Sequence, residues 1–339
     1  MFDPVELKAL ALRRAAEEGF VRAGVAPAPV AGAERLAAFL ASGRHADMAW
    51  LARSPAERFD ATNLLPAAAS IICLAASYAP GGPDDGGGHV ARYARGRDYH
   101  RLLKRRCRRI VESIVSAAPG TRTRICVDTA PASERSFAAA AGLGWIGRNG
   151  CLIVPGAGSY VVLAEVVTDL PLPPDGPMEL GGTDKPLFGL SVRNTPRTSK
   201  RRLSVPPHFA GGCGDCRACV DACPGGAIAG DGLVDCRRCV SYLTIEHRGP
   251  IDGPLRAVLG DRLFGCDRCQ EACPHNRGVR AGDAELLGPS ELAKATPADV
   301  LEWTAEDWDR LTRGSAGRRA SHAMYLRNAA MALGNRAPG

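Results

Sequence analysis

Cysteine spacing constrains this chain more than any other feature. Nine of its thirteen cysteines fall between Cys213 and Cys273. The first group runs Cys213-x2-Cys216-x2-Cys219-x3-Cys223-Pro224, the spacing by which bacterial ferredoxins ligate [4Fe–4S] clusters. The second, Cys266-x2-Cys269-x3-Cys273-Pro274, repeats it without the leading cysteine, which Cys236 or Cys239 can replace. Short loops of this kind present three thiolates to three corners of a cubane, and the Cys-Pro cysteine of each group reaches across to the other cluster. Ligand counting then closes. One cluster takes Cys213, Cys216, Cys219 and Cys273; the other takes Cys223, Cys266, Cys269 and either Cys236 or Cys239. Two structural zinc sites would need paired Cys-x2-Cys units, whereas these are triplets followed by Cys-Pro.

The start, MFDPVELKAL, carries two acids in six residues and no apolar h-region, so a secretory leader is not expected. The longest uncharged run, 61–83, is interrupted by Asn, Ser and Pro and reads as a buried strand with its loops, with no membrane span. A cytoplasmic location follows, where a disulfide framework is disfavoured and metal ligation is the default for clustered thiols. Cys73, Cys107, Cys126 and Cys151 are scattered among apolar or helical residues and read as packed thiols. More than two hundred residues precede Cys213, far more than a cluster-binding module needs. The electrons are therefore expected to serve a separate site upstream.

That upstream region reads as α+β, an α/β unit with a mixed sheet. Residues 1–60 look helical, with Leu7, Leu10, Ala11 and again Leu36, Phe39, Leu40 at helical spacing. SIICLAASY is a short apolar strand, 98–117 a helix, and 124–127 a second strand ending in Asp128. Pro131 suits the first turn of the helix that follows. Residues 151–154 and 160–167, joined by a Pro-Gly-Ala-Gly turn, read as a hairpin. Gly142-Leu-Gly144-Trp-Ile-Gly147 matches GxGxxG but follows a helix and enters a strand, the reverse of a dinucleotide fingerprint. It fits better as a loop whose backbone approaches a large flat ligand. Asp128 can serve as a catalytic acid at a strand end, or as the N-cap of the next helix.

VDTAPASERSFAAAAGLGWIGRN, DYHRLLKR, CRRCVSYLTIEHRGPI and FGCDRCQEACPHN closely resemble the epoxyqueuosine reductase family, and the likeness extends from about residue 5 to 335. The resemblance implies a cobalamin-dependent iron–sulfur enzyme of tRNA modification. It implies that the N-terminal domain binds base-off cobalamin, with Gly142, Gly144, Trp145, Gly147, Arg148 and Asn149 near the corrin. Asp128 stands where that family keeps its proposed general acid, and Tyr99 and His100 fall in its DYH motif. The family's cluster cysteine before SYLTIE corresponds to Cys239, which would leave Cys236 unligated.

By this resemblance, epoxyqueuosine at the tRNA wobble position is reduced to queuosine. An external low-potential donor feeds the clusters, and Asp128, kept neutral in a desolvated pocket, protonates the leaving oxygen. Net charge agrees with an RNA substrate: +7, or roughly +3 once two cubanes add about −2 each. Nine Arg or Lys lie at positions 92–109 and five at 193–202. The expected organisation is a cobalamin-binding catalytic domain (1–178), a flexible basic insertion (179–211), a ferredoxin-like domain (212–280) and a helical region (281–339), in a monomer. Departures from the family are the insertion, His275 in place of Trp, and no helical-repeat extension after Asn335. The competing readings are an electron-transfer module and a reductive dehalogenase-like cobalamin enzyme.

Overall fold

The computed structural model describes residues 2–55, 57–80, 88–178, 212–288 and 290–335. The insertion expected at 179–211, with its basic run at 193–202, lies outside them. In chain order the upstream region forms α1 (Pro4–Glu17), β1 (Arg22–Pro27), α2 (Ala33–Ala41), β2 (Ser70–Ser77), α3 (Tyr99–Ala117), β3 (Thr123–Cys126), α4 (Glu134–Ala140), β4 (Trp145–Ile146), β5 (Leu152–Ile153) and β6 (Val161–Thr168).

All eight residues of β2 are buried, so this strand needs a layer on each face. One layer is α1 and α3, whose Leu7, Ala11, Leu103, Ile110 and Ile114 cluster with Ile72, Leu74 and Ala76. The other is α4, whose Phe137 and Ala138 cluster with Ile71, Cys73 and Ala75. Alternate β2 side chains thus feed two separate cores.

The sheet has the order β1-β2-β6-β3, and every neighbouring pair is antiparallel. This corrects the expected mixed sheet, and the reason is topological. Strands β2 and β3, joined by the α3 crossover, both oppose β6 and so run parallel to each other. β6 arrives last and lies between them, so the parallel strands never pair. The carboxyl ends of β2 and β3 share one edge of the sheet, the edge where α/β folds open a crevice.

Three local expectations also change. Residues 1–60 are not all helical, because Arg22–Pro27 pairs with Ser70–Ala75 of β2. Its RAGVAP sequence has no strand pattern of its own, and tertiary pairing decides its conformation. The expected hairpin is absent: Leu152–Ile153 turns back onto Trp145–Ile146. β6 instead gains a full ladder with β2 and a second with β3, more backbone pairing than the short turn offers. Pro131 stands before α4, whose N-cap is Ser133.

Downstream, α5 (Ala218–Asp221) and α6 (Val240–Ile245) belong to the cysteine region. That region packs against the same sheet edge. Ser159 N–H, just before β6, donates to Asn276 Oδ1 (2.7 Å), and Tyr78 O–H, just after β2, to Gln270 Oε1 (3.4 Å). Helix His322–Gly334 closes a third core, with Tyr325 stacked on Phe264 at 6.0 Å. No helix among the described residues is long and apolar enough to cross a membrane.

Close backbone packing explains the glycines of the 142–147 loop. Gly142 turns the chain out of α4 at φ +72°. A Cβ at Gly144 would overlap Ile153 O, and one at Gly147 would meet Ile153 Cδ1 at 2.6 Å. Gly144→Ala should therefore destabilise the fold by about 2 kcal/mol or more, read as a lower Tm in thermal unfolding. An unchanged Tm would show that the loop has room the packing denies.

Candidate active site and metal centres

The nine clustered cysteines divide around two spaces. Cys213, Cys216, Cys219 and Cys273 line a small pocket with Arg148, Asn149, Ile153, Pro274 and His275. Cys223, Cys239, Cys266 and Cys269 line a cavity of about 470 Å³ that also touches Tyr78, Tyr93, Asp128 and Arg135. Cys236 is in neither and faces a neighbouring cleft.

Backbone donors aim at the sulfurs in these pockets. Ala227 N–H donates to Cys223 Sγ at 3.2 Å. Backbone N–H groups of Tyr242 and Ser241 meet Cys239, that of Arg268 meets Cys266, and that of His275 meets Cys273. Cys239 is the N-cap residue of α6, so its sulfur faces the helix's positive end. N–H donors directed at cysteine sulfur are what cluster-bound thiolates require, so this donor set fits a [4Fe–4S] group in each pocket. Cys236 differs in its partner: its thiol donates to the carbonyl Val234 O (3.7 Å).

Sequence spacing did not reveal Cys151 as a pocket residue. It lines the second cavity as a fifth thiol and hydrogen-bonds Cys269. Cys73, Cys107 and Cys126 are buried packed thiols, as expected.

The cleft next to that cavity has a volume of about 1110 Å³, and Tyr93, Asp128, Cys239 and Ser241 line both. The cleft alone exceeds the usual size of a small-molecule pocket. Its acid group is assembled from α3 and the end of β3. Asp98 caps α3 by accepting the His100 N–H (3.0 Å), and it also accepts from His100 Nδ1 (2.6 Å). The imidazole is thereby turned so that Nε2 donates to Asp128 Oδ2 (3.1 Å). Tyr99 O–H donates to the same oxygen at 3.0 Å, and its ring stacks on His100 at 4.1 Å.

These contacts decide where the proton resides. Burial opposes charge on His100, but the hydrogen bonds to Asp128 and Asp98 outweigh it and push the imidazole up to about 9. The His100 hydrogen bond holds Asp128 below the usual carboxylate range, against the effect of burial. A neutral Asp128 was expected; the His100 donor opposite the carboxylate instead favours an aspartate–imidazolium pair. Asp128 does not cap α4 either. It sits at φ +58°, a strained conformation for a residue with a side chain, and its N–H donates to Glu134 Oε1. Burial, then the charge of Asp128, pushes Glu134 up to about 7. Behind it Glu165 is fully buried, with neither carboxyl oxygen hydrogen-bonded among the described residues, and burial raises its pKa well above the usual range.

Of the residues expected near a flat cofactor, Tyr99 and His100 line the cleft and Asn149 lines both cysteine pockets. Arg148 instead bonds Gly214 O (2.8 Å) and Gly230 O (3.1 Å) beside the first pocket. Trp145 lies edge-on to His275 at 5.1 Å. Gly142, Gly144 and Gly147 pack on the protein's own backbone and side chains, and this close packing accounts for the glycines.

Comparison with known proteins agrees with these features. The family model described as epoxyqueuosine reductase QueG, DUF1730, matches residues 58–129, and a 4Fe-4S double cluster binding domain matches 212–276. The chain is 36% identical to the epoxyqueuosine reductase of Xanthomonas campestris pv. campestris, over 99% of this chain and 89% of that one. It is 35% identical to the Escherichia coli K12 protein of the same name, over 99% and 83%. Among solved structures, an epoxyqueuosine reductase with an epoxyqueuosine-modified tRNA-Tyr stem loop aligns with TM-score 0.81 and 27% identity, over 98% of this chain and 82% of that one. The Bacillus subtilis enzyme, solved with its aspartate catalytic loop swung out of the active site, aligns with TM-score 0.79 and 26% identity, over 98% and 82%.

The His100 pairing can be tested by titration. A raised imidazole pKa stabilises the fold fully below the ordinary value near 6.5, and that contribution is lost as pH rises through about 9. His100 should titrate near 9 by NMR, and Asp128→Asn should return it toward the ordinary value. A wild-type imidazole titrating near 6.5 would contradict the pairing.

Proposed function

The chain belongs to the epoxyqueuosine reductase family, and from that premise we propose that it reduces epoxyqueuosine in tRNA to queuosine through the Asp98–His100–Asp128 group. The observation that carries the reading is this hydrogen-bonded group, standing in a cleft that shares Cys239 with a cysteine-lined cavity. The chain is an oxidoreductase with a 4Fe-4S double-cluster domain and an RNA substrate. Finer assignments complete the proposal. Cys213, Cys216, Cys219 and Cys273 hold one cluster, and Cys223, Cys239, Cys266 and Cys269 the other. The family's cobalamin would lie in the cleft beside that cluster, where Tyr99 and His100 line it, with Asn149 at the wall of the cluster cavity. An external low-potential donor supplies electrons to a monomeric enzyme.

Turning an epoxide into an alkene consumes two electrons and two protons, and the oxygen leaves as water. When bound, the clusters and cobalamin supply the electrons as low-potential redox chemistry. This chain's residues handle the protons. Asp128 Oδ2 is the point at which Tyr99 and His100 converge, so a proton entering from either is delivered at that atom. Asp98 keeps the imidazole turned toward it, as a carboxylate orients a general acid. Glu134 fixes the strained Asp128 backbone in the cleft. That hold is relevant because the Bacillus subtilis relative shows its aspartate loop swung out. Cleft walls built of Tyr93, Tyr242 and Ile245 limit water around the reacting group.

Turnover tests the proposal. Protein reconstituted anaerobically with iron, sulfide and cobalamin, given a low-potential reductant and tRNA carrying epoxyqueuosine, should remove one oxygen from the modified nucleoside by mass spectrometry. Asp128→Ala should retain iron and cobalamin while turnover falls at least ~100-fold. No conversion by the loaded wild-type protein would overturn the substrate, and near-normal turnover by the variant would remove Asp128 from proton delivery.

A further inference from the structure

The two rims of the cleft differ in how their charges are used. On one, Arg318 bonds Asp309 and lies over Trp308 at 5.0 Å, while Arg319 makes two 2.8 Å bonds to Glu246. Both guanidinium groups are already neutralised. Another stretch of the lining carries Trp50, Arg53, Glu57 and Arg58. Arg58 lies 5.5 Å from the centre of the Trp50 ring and donates to Trp50 O at 3.0 Å. Its Nε is buried with no acceptor. Among the described residues neither Arg53 nor Arg58 forms an ion pair. Trp50 is 42% exposed, one of few large apolar side chains left at the surface.

The basic run at 92–109 does not take this role. Arg97 and Arg105 pair with Glu285, Arg106 with Asp283, and Arg109 with Glu18, and none of the run's arginines or lysines lines the cleft. Among the described residues, the cleft's two arginines without an ion pair, Arg53 and Arg58, thus stand beside an exposed indole. Single-stranded RNA is recognised by this combination, with bases stacked on aromatic rings and guanidinium groups at the backbone. The rim is also linked to the acid, because Ser133 N–H, in the segment between Asp128 and α4, donates to Arg58 O at 2.8 Å.

We propose that Trp50, Arg53 and Arg58 form a subsite for the nucleotide next to the modified one, the indole stacking on its base and the guanidinium groups meeting its phosphate. The subsite deepens the RNA reading above and rests on it. Trp50 lines the same cleft as Asp128 and His100, so a base held there steadies its neighbour against the acid. Stacking is tolerant of base identity, and the subsite contributes affinity and register rather than sequence choice.

Binding of a fluorescent anticodon stem-loop RNA carrying epoxyqueuosine, followed by anisotropy at several salt concentrations, tests this. Trp50→Ala should weaken binding about 10- to 100-fold, and Trp50→Phe should recover most of it. Arg53→Ala, at an exposed position, should lower the slope of log affinity against log salt by about one. Cluster absorbance checks that each variant is folded. Trp50→Ala within twofold of wild type, with an unchanged Arg53→Ala slope, would overturn the subsite while wild-type turnover leaves the RNA reading standing. A wild-type protein that neither binds nor converts this RNA would overturn both.

Discussion

The hydrogen bond between His100 Nε2 and Asp128 Oδ2 is the interaction around which the cleft is organised. It needs a helix beginning at Tyr99, because Asp98 both caps that helix and grips the imidazole. It needs Asp128 held in a left-handed backbone, which Glu134 secures from the start of α4. It also needs β2 and β3 to end on the same edge of the sheet, which the insertion of β6 between them provides. A burial cost on the charged imidazole is outweighed by two carboxylates, so the proton rests on His100 at neutral pH.

Electron supply and proton supply meet at one wall. Cys239, Ser241, Tyr93 and Asp128 line both the cysteine cavity and the cleft. The helix that Cys239 begins, α6, also contributes Tyr242 and Ile245 to the cleft. This short segment thus lines both spaces, with Val240 toward the cysteine cavity, Tyr242 and Ile245 toward the cleft, and Cys239 and Ser241 on both. The cysteine region is tied to the ends of β2 and β6 through Gln270 and Asn276, which accept from Tyr78 and Ser159.

The cysteine grouping was legible in the sequence because it is local: loops of two and three residues fix which sulfurs converge. Counting alone left Cys236 and Cys239 equivalent, since their difference lies in helix capping and in which space each faces. The strand SIICLAAS and the helix from Tyr99 were readable from apolar runs and periodicity. β1 was not, because RAGVAP owes its extended form to β2. The antiparallel sheet was hidden for the same reason, as only the long-range arrival of β6 separates β2 from β3. The 142–147 glycines suggested ligand approach, yet backbone packing on Ile153 explains them. A charged His100 was out of reach because Asp128 lies 28 residues away. The Trp50–Arg58 rim was equally invisible, because the cleft it lines is completed by residues as distant as Asp128 and Arg319.

The central claim is that electrons reach the acid cleft through a cluster anchored by Cys239. Iron counting with single-turnover reduction of epoxyqueuosine-containing tRNA, in Cys239→Ser and Cys236→Ser side by side, tests it most directly. The account predicts that Cys236→Ser keeps about eight irons and reduces the tRNA, while Cys239→Ser loses cluster iron and does not. The reverse pattern, with iron and reduction lost in Cys236→Ser and kept in Cys239→Ser, would contradict it.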